Sequence, residues 1–109
     1  MTWIDEYLPE AMEELRALDK GRRAVVAKAI RRTLRNPLPA YEGGYGKPLG
    51  NKGNRDLTGL LKIKLKREGL RVVYKLVRRD GKMLVIVVGI REDEEVYRTA
   101  EMRAKKYGL

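Results

Sequence analysis

Apolar and charged residues alternate along Leu60–Leu76, and this is the most regular pattern in the chain. A period of two is typical of β-strands that bury one face. The triplet Arg-Glu-Gly at 67–69 interrupts the alternation, so we predict two strands, Leu60–Lys66 and Leu70–Arg78, joined by a tight turn. A third strand, Met83–Ile90, follows an Asp-Gly turn signal. Because most of this third strand is apolar on both faces, we predict that it is central in a sheet.

The other apolar positions recur at spacings of three and four, which predicts helices. An N-terminal helical hairpin is expected after a short strand at Thr2–Tyr7, with its first helix starting near Pro9. Asp19 can cap the second helix, which ends near Arg35. A last helix is predicted from about Asp93 to Tyr107, because acidic residues crowd its start and lysines its end.

Residues 37–59 are rich in proline and glycine and are predicted to form a long loop, with most of the glycines at 43–59. The predicted order is therefore β-α-α-β-β-β-α. This order corresponds to an α+β fold in which a small, mostly antiparallel sheet packs against the helical hairpin and carries a C-terminal helix. At 109 residues, the chain is expected to be one domain spanning 1–109.

Charge changes the picture from a generic α+β domain to a candidate nucleic-acid or ribosome partner. The net charge is +10 and the pI is about 10.0. The charge is uneven: residues 43–79 hold eleven Lys or Arg and two acids, whereas residues 1–19 hold six acids and one base. This asymmetry favours a basic binding face over a protein that is merely basic throughout.

The absence of two residue types excludes several chemistries. The chain has no cysteine and no histidine, so it has no disulfide, no thiolate metal site and no Ser-His triad. The acids at Glu92–Glu95 fan around a helix start rather than converge, so we predict no metal site there. No apolar run reaches transmembrane length and no signal pattern precedes the first helix, so we expect a cytoplasmic protein that does not enter a membrane.

The alternation in the first predicted strand places lysines on a single face. Lys62, Lys64 and Lys66 project from it together, and Arg71 follows just past the turn. Fixed cations of this kind stabilise the charge that develops in phosphoryl transfer, and a crowded amine can serve as a base. From spacing alone, binding to a phosphodiester backbone is the better-supported interpretation. A glycine-rich loop at 43–59 can also cradle phosphate, but GGYGKPLG lacks P-loop spacing, which leaves a solvated loop and direct RNA contact as alternatives.

Two later residues extend the candidate site. Arg91 directly follows the apolar strand and precedes the last helix, where a side chain is held yet exposed. Tyr97 lies in the first turns of that helix. A tyrosine at this point can belong to the core, stack on a base or orient a hydroxyl.

The segments KIKLKREGLRVVYKL (residues 62–76) and VGIREDEEVYRTA (residues 88–100) resemble the RelE-type toxins of bacterial and archaeal toxin–antitoxin pairs, in the RelE/ParE superfamily. The resemblance spans most of the chain, and the two segments at this separation are far more specific than either alone. It implies a metal-independent, cofactor-free enzyme that enters the ribosomal A site and cuts mRNA there. The 2′-hydroxyl of the message attacks the adjacent phosphate, which releases a 5′-hydroxyl and a 2′,3′-cyclic phosphate.

Matching motifs imply catalytic roles for five residues. Lys62 and Lys64 correspond to the paired lysines of the catalytic strand, with Lys64 favoured as the base. Arg71 corresponds to the arginine that holds the scissile phosphate. Arg91 corresponds to a strand-end arginine, a candidate general acid or phosphorane stabiliser, and Tyr97 to a tyrosine that stacks on or orients the nucleotide.

Partners follow from the same resemblance. We expect a cognate antitoxin, acidic and with a helical segment, together with mRNA and ribosomal RNA. The candidate RNA and ribosome contacts are Lys47, Lys52, Arg55, Lys66, Arg67 and Lys75. Lys47, Lys52 and Arg55 lie in the predicted loop at 43–59, which is longer than in compact members of the family. They therefore cannot be matched one to one with residues of the family. Two alternatives stay open: a non-catalytic RNA- or ribosome-binding protein, and a ParE-like toxin of the same fold that inhibits gyrase.

Overall fold

The computed structural model describes residues 2–52, 55–90 and 92–109, with only the backbone of Lys52. These residues form five strands and three α-helices, with short 3₁₀ turns at Ala40–Glu42 and Arg78–Asp80. The elements are β1 (Ile4–Tyr7), α1 (Pro9–Ala17), α2 (Lys20–Thr33), β2 (Lys47–Lys52), β3 (Arg55–Leu65), β4 (Leu70–Val77), β5 (Lys82–Gly89) and α3 (Asp93–Lys106).

One sheet contains all five strands in the order β1-β5-β4-β3-β2. β1 pairs with β5 in parallel, and the other neighbours are antiparallel. β5 lies inside the sheet, and Met83 and the run Val85–Val88 are buried, as its continuous apolar sequence predicted. The predicted α+β class with a mostly antiparallel sheet is confirmed, with one strand more than the predicted order contained.

The additional strand corrects the prediction of a loop over 37–59. Lys47–Lys52 forms β2, and β3 begins at Arg55 rather than at Leu60. The two strands pair as an antiparallel hairpin with a shift in register between Pro48 and Gly50. Leu49 and Leu57, both buried in the core, supply the apolar contacts that hold this hairpin on the sheet.

The segment that connects α2 to β2 is anchored to the sheet through Tyr74 of β4. The hydroxyl of buried Tyr74 donates a hydrogen bond to the Pro37 carbonyl oxygen at 2.8 Å. Burial raises the pKa of Tyr74, so this donor keeps its proton at neutral pH. Gly46 lies against the same tyrosine: a β-carbon there would be 2.3 Å from the Tyr74 hydroxyl.

The N-terminal helices begin as their sequences predicted. Pro9 occupies the first turn of α1, and the Asp19 carboxylate caps α2 by accepting a hydrogen bond from the Arg22 backbone N–H at 3.1 Å. Val26 and Ile30 are the buried apolar side chains of α2. No helix among the described residues is long and apolar enough to span a membrane.

α3 is fixed over the sheet by a charged cluster at its far end. Arg103 donates hydrogen bonds to both carboxylate oxygens of Glu14 on α1, at 2.7 and 3.0 Å, and to the Ile86 carbonyl oxygen at 2.9 Å. The Val88 backbone N–H donates to the same carboxylate at 3.1 Å. The cluster therefore joins α1, β5 and α3 at one point.

Candidate active site

The pairing of β3 with β4 sets the predicted catalytic cations side by side. Lys64 lies directly opposite Arg71, and Lys62 precedes Lys64 by two residues on the same strand. Opposed residues of an antiparallel pair project from one face, as do residues two apart along a strand. Lys62, Lys64 and Arg71 therefore share one face of the sheet. β3 ends one residue before Lys66, so that lysine lies in the exposed turn and does not extend the row.

Tyr97 of α3 meets this face at Lys62. The Lys62 ammonium donates a hydrogen bond to the Tyr97 hydroxyl at 3.0 Å and lies 5.6 Å from the ring centroid, within cation–π range. Only 7% of Tyr97 is exposed, so its ring belongs to the core. The core and site interpretations of Tyr97 are thus compatible: the ring packs inward while the hydroxyl faces a lysine.

Asp93, at the start of α3, is a member of the site that the sequence interpretation missed. Arg71 Nε donates a hydrogen bond to Asp93 Oδ1, and Lys64 Nζ is 3.5 Å from Asp93 Oδ2. The hydrogen bond from Arg71, with the positive charges of Arg71 and Lys64, holds the pKa of Asp93 below its usual range. The carboxylate is therefore ionised at neutral pH and lies between two of the predicted catalytic cations, Lys64 and Arg71.

One signal in the sequence could have located Asp93. It precedes Tyr97 by four residues, and positions four apart project from one side of a helix. Any docking of α3 that brings Tyr97 to the lysine face therefore brings Asp93 there too. The helix dipole alone accounts for the place of this acid in the sequence but not for its contacts with Arg71 and Lys64.

Gly89 allows α3 to lie this close to the sheet. It is paired with Arg71 at the end of β5. A β-carbon at this position would be 2.8 Å from Val96 Cγ2 of α3, closer than such atoms approach in folded proteins. The missing side chain thus lets the first turns of α3 pack beside Arg71.

Arg91, the predicted general acid or phosphorane stabiliser, lies outside the described residues. Its predicted role stays a prediction. The structure describes the chain up to Ile90 and again from Glu92, on either side of it.

Four of the six predicted RNA contacts fall into two groups by position. Lys47 pairs with Lys62 across β2 and β3, and Lys75 is opposite Leu60, so both belong to the same face as the catalytic lysines. Lys66 and Arg67 are exposed in the turn between β3 and β4. The Lys52 side chain lies outside the described part of the chain.

Arg55 has a partner within the fold. Its guanidinium donates to Glu101 of α3 at 3.2 Å, and its side chain is 27% exposed. The Asp56 backbone N–H donates to the same carboxylate at 3.2 Å. Glu101 therefore fastens the β2–β3 hairpin to α3, and an RNA phosphate would have to compete with it for Arg55.

The acids at the start of α3 were predicted to cap the helix rather than to bind a metal. Within the described residues, no cluster of three or more Asp, Glu, His or Cys side chains is arranged to hold a metal ion. The metal-independence of the reaction stays a prediction of the resemblance.

Comparison with known proteins adds independent information. No protein-family model matches the chain. An Escherichia coli protein described as a RelE-like toxin is 28% identical over 106 residues. The alignment covers 96% of this chain and 100% of that protein. A double arginine-to-alanine mutant of Escherichia coli toxin RelE in the free state has a TM-score of 0.72 at 27% identity, covering 94% of this chain and 98% of that one.

A chain of the intact Escherichia coli RelBE toxin–antitoxin complex is also similar in fold. Its TM-score is 0.63 at 26% identity, and the alignment covers 83% of this chain and 98% of that chain. Sequence similarity along almost the whole chain and agreement in fold point to the same family as the two motifs. The curated relative and the solved structures together support a RelE-type toxin.

Proposed function

We propose that this RelE-type chain is the toxin of a type II toxin–antitoxin module and acts as a metal-independent endoribonuclease on mRNA in the ribosomal A site. The observation that carries the proposal is the convergence of Lys62, Lys64, Arg71 and Tyr97. These residues come from β3, β4 and α3. The three cations share one face of the sheet, and Lys62 donates a hydrogen bond to Tyr97.

The proposed reaction needs charge stabilisation and two proton transfers. The 2′-oxygen forms a bond to phosphorus while the bond to the 5′-oxygen breaks; the 2′-hydroxyl loses a proton and the 5′-oxygen gains one. Arg71, which lies on β4 and is only 17% exposed, would neutralise the non-bridging oxygens. Lys64 beside it would assist at the 2′-hydroxyl, and Lys62 with Tyr97 would orient the nucleotide.

Dependence on the ribosome follows from the residues that the chain lacks. Without histidine it has no side chain whose ordinary pKa lies near neutrality, so proton transfer is inherently slow. Holding the message in line for attack can supply several kcal/mol of the barrier. We propose that the ribosome supplies this orientation, that cleavage of naked RNA is weak, and that the protein acts in the cytoplasm.

A partner antitoxin is the second part of the proposal. The complex of the Escherichia coli relative contains an antitoxin, and this chain has the basic face to attract an acidic one. We propose an acidic antitoxin with a helical segment that covers the face formed by Lys47, Lys62, Lys64 and Lys75. Charge complementarity of this kind raises the association rate and selects the partner.

One specific alternative is a protein that uses the same face to bind a phosphodiester backbone without cutting it. The row of cations on β2, β3 and β4 supports binding as well as catalysis. Substitution of Arg71 distinguishes the two functions. Catalysis needs a cation at the scissile phosphate, whereas the affinity for a phosphodiester backbone is shared among many cations.

The test compares Arg71→Gln with Arg79→Gln, which removes the same charge beyond the opposite end of β4. With purified ribosomes and message, mapping of RNA ends should show cleavage reduced on the order of 100-fold in Arg71→Gln. Arg79→Gln should cut at the native rate, and both variants should still sediment with ribosomes. A native chain that sediments with ribosomes but leaves the message intact would support the binding alternative. Cleavage at the native rate by Arg71→Gln would refute the role of Arg71, and rapid EDTA-sensitive digestion of naked RNA would refute the proposal.

A further inference from the structure

The site already holds an anion, and that anion belongs to the chain itself. One oxygen of Asp93 accepts a hydrogen bond from Arg71 Nε, and the other is 3.5 Å from Lys64 Nζ. Two cations from neighbouring strands thus hold the two oxygens of one carboxylate. The non-bridging oxygens of a phosphodiester would approach the same two cations in the same way.

Burial shows which partner is fixed and which is free to leave. The Arg71 side chain is 17% exposed and that of Lys64 is 26% exposed, whereas that of Asp93 is 40% exposed. The two cations are carried by strands of the sheet, and the carboxylate is the most exposed of the three groups. An anion that arrives from solvent therefore has to compete with Asp93 for Lys64 and Arg71.

Asp93 can leave the cations without unfolding its helix. It is the first residue of α3, so rotation about its χ1 angle turns the carboxylate outward while the backbone keeps its place. An acid in the first turn of a helix is also favoured by the helix dipole in either rotamer. The far end of α3 stays fixed by Arg103 and Glu14.

From this geometry we infer that Asp93 is an internal counter-ion that occupies the substrate-phosphate position and is displaced when the scissile phosphate binds. The inference rests on the proposed function and adds a selectivity step to it. A free RNA must compete with Asp93 for Lys64 and Arg71 and binds weakly. A message that the ribosome holds in place presents its phosphate at high effective concentration and displaces the carboxylate.

A purely structural role is the competing explanation. In that case the ion pairs of Asp93 only tie α3 to the sheet, and removal of the carboxylate loosens the site. The two explanations predict opposite signs for the affinity of the site for phosphate. Displacement predicts tighter phosphate binding without Asp93, whereas a structural role predicts equal or weaker binding.

The experiment titrates the full chain with inorganic phosphate and with a dinucleotide that lacks the attacking 2′-hydroxyl. Binding is followed by NMR through the side-chain signals of Lys64 and Arg71 at constant ionic strength. Asp93→Asn should bind both probes at least about fivefold more tightly than the native chain. Asp93→Glu keeps the charge and should stay near the native affinity.

The matched control is Glu94→Gln, which removes one charge from the same helical turn at an exposed residue. If Glu94→Gln tightens binding as much as Asp93→Asn, the effect is general electrostatics and the inference is wrong. Asp93→Ser is measured in parallel, and tighter binding is required in whichever variant has the native circular dichroism spectrum. If neither folds, Asp93 is a structural anchor and the inference is wrong.

A second readout separates this inference from the proposed function. Asp93→Asn should raise cleavage of naked RNA relative to ribosome-bound message, because the competing carboxylate is gone. An unchanged phosphate affinity would overturn the role of Asp93 alone. A native chain that fails to cut ribosome-bound message would overturn the proposed function, whatever the phosphate titration shows.

Discussion

Tyr97 contributes to both the core and the site, through different atoms. Its ring is packed with the core, and its hydroxyl accepts the hydrogen bond from Lys62. Substitution by alanine removes both contributions at once, so a loss of activity in that variant would not show which one matters. Substitution by phenylalanine removes only the hydroxyl.

We therefore predict that Tyr97→Phe and Tyr97→Ala differ in stability. Alanine leaves a cavity at a side chain that is 7% exposed, which should cost about 3 kcal/mol in the free energy of unfolding. Phenylalanine keeps the ring and should cost less than about 1.5 kcal/mol. Urea denaturation followed by circular dichroism measures both values.

The functional part of this prediction uses the stable variant. Tyr97→Phe should cut ribosome-bound message more slowly than the native chain, because Lys62 loses the acceptor that positions it. If cleavage by Tyr97→Phe equals the native rate, the hydroxyl has no role and Tyr97 acts through its ring alone.

Individual residues of the candidate site differ in how far the sequence could identify them. Lys62, Lys64 and Arg71 follow from strand alternation and a single turn, because their neighbours in space are near in the sequence. Asp93 cannot be identified in this way. Its contacts with the cations depend on how α3, more than twenty residues after Arg71 in the sequence, docks on the sheet. Local sequence patterns predict the side of an element from which a residue projects, but not which residues of other elements contact it.

α3 is positioned from both of its ends. Near its start, Asp93 and Tyr97 contact the cations of the sheet. Near its end, Arg103 is held by Glu14, and its side chain is only 12% exposed. The geometry of the site thus depends on a contact between the first and the last helices, outside the site itself.

We predict that Glu14→Ala destabilises the protein through this contact. The substitution leaves the Arg103 guanidinium and the Val88 N–H without their carboxylate acceptor, which should cost about 2 kcal/mol in the free energy of unfolding. Glu13→Ala, at the exposed neighbouring position, should be close to neutral in urea denaturation. Equal losses in the two variants would show that the pairing of Glu14 with Arg103 contributes nothing.

Among the elements, β2 and the first part of β3 were predicted wrongly as a loop. Their glycines and prolines are typical of loops, and their buried anchors Leu49 and Leu57 are too far apart to show a period of two. Gly50, with φ 57°, accompanies the shift in register of the hairpin. Tertiary burial outweighed local composition here, whereas the start of α1 and both ends of α2 and α3 follow local rules and were predicted closely.

Across the whole molecule, carboxylates and cations pair between distant segments. Hydrogen bonds from Lys106 and Tyr107 lower the pKa of Glu10 to about 2. Arg78 lowers the pKa of Glu42, and Arg71 lowers that of Asp93. Each of these acids binds a proton less readily in the folded chain than in the unfolded chain, so each favours folding where it is ionised.

We predict from these shifts a loss of stability in acid. The free energy of unfolding should vary little between pH 7 and about 5, and should fall as the pH drops below about 4.5 toward 2. Urea midpoints at pH 7, 4.5 and 3 measure this dependence.

Glu10→Gln is the informative control for the acid dependence. It removes a group whose folded pKa is depressed, so its loss of stability relative to the native chain should be present at pH 7 and shrink by pH 3. A difference between the two proteins that does not change with pH would mean that the charge of Glu10 makes no contribution.

The parallel pairing of β1 with β5 has a consequence for the order in which the protein can be made. Residues 4–7 find their partner only at residues 82–85, and α1 secures α3 only at Arg103. Synthesis runs from the N-terminus, so the earliest element waits for the latest ones to leave the exit tunnel. A ribosome that is still translating this message therefore carries a chain whose cations lack the wall formed by α3. The candidate site is complete only after residues 93–106 have emerged and docked on the sheet.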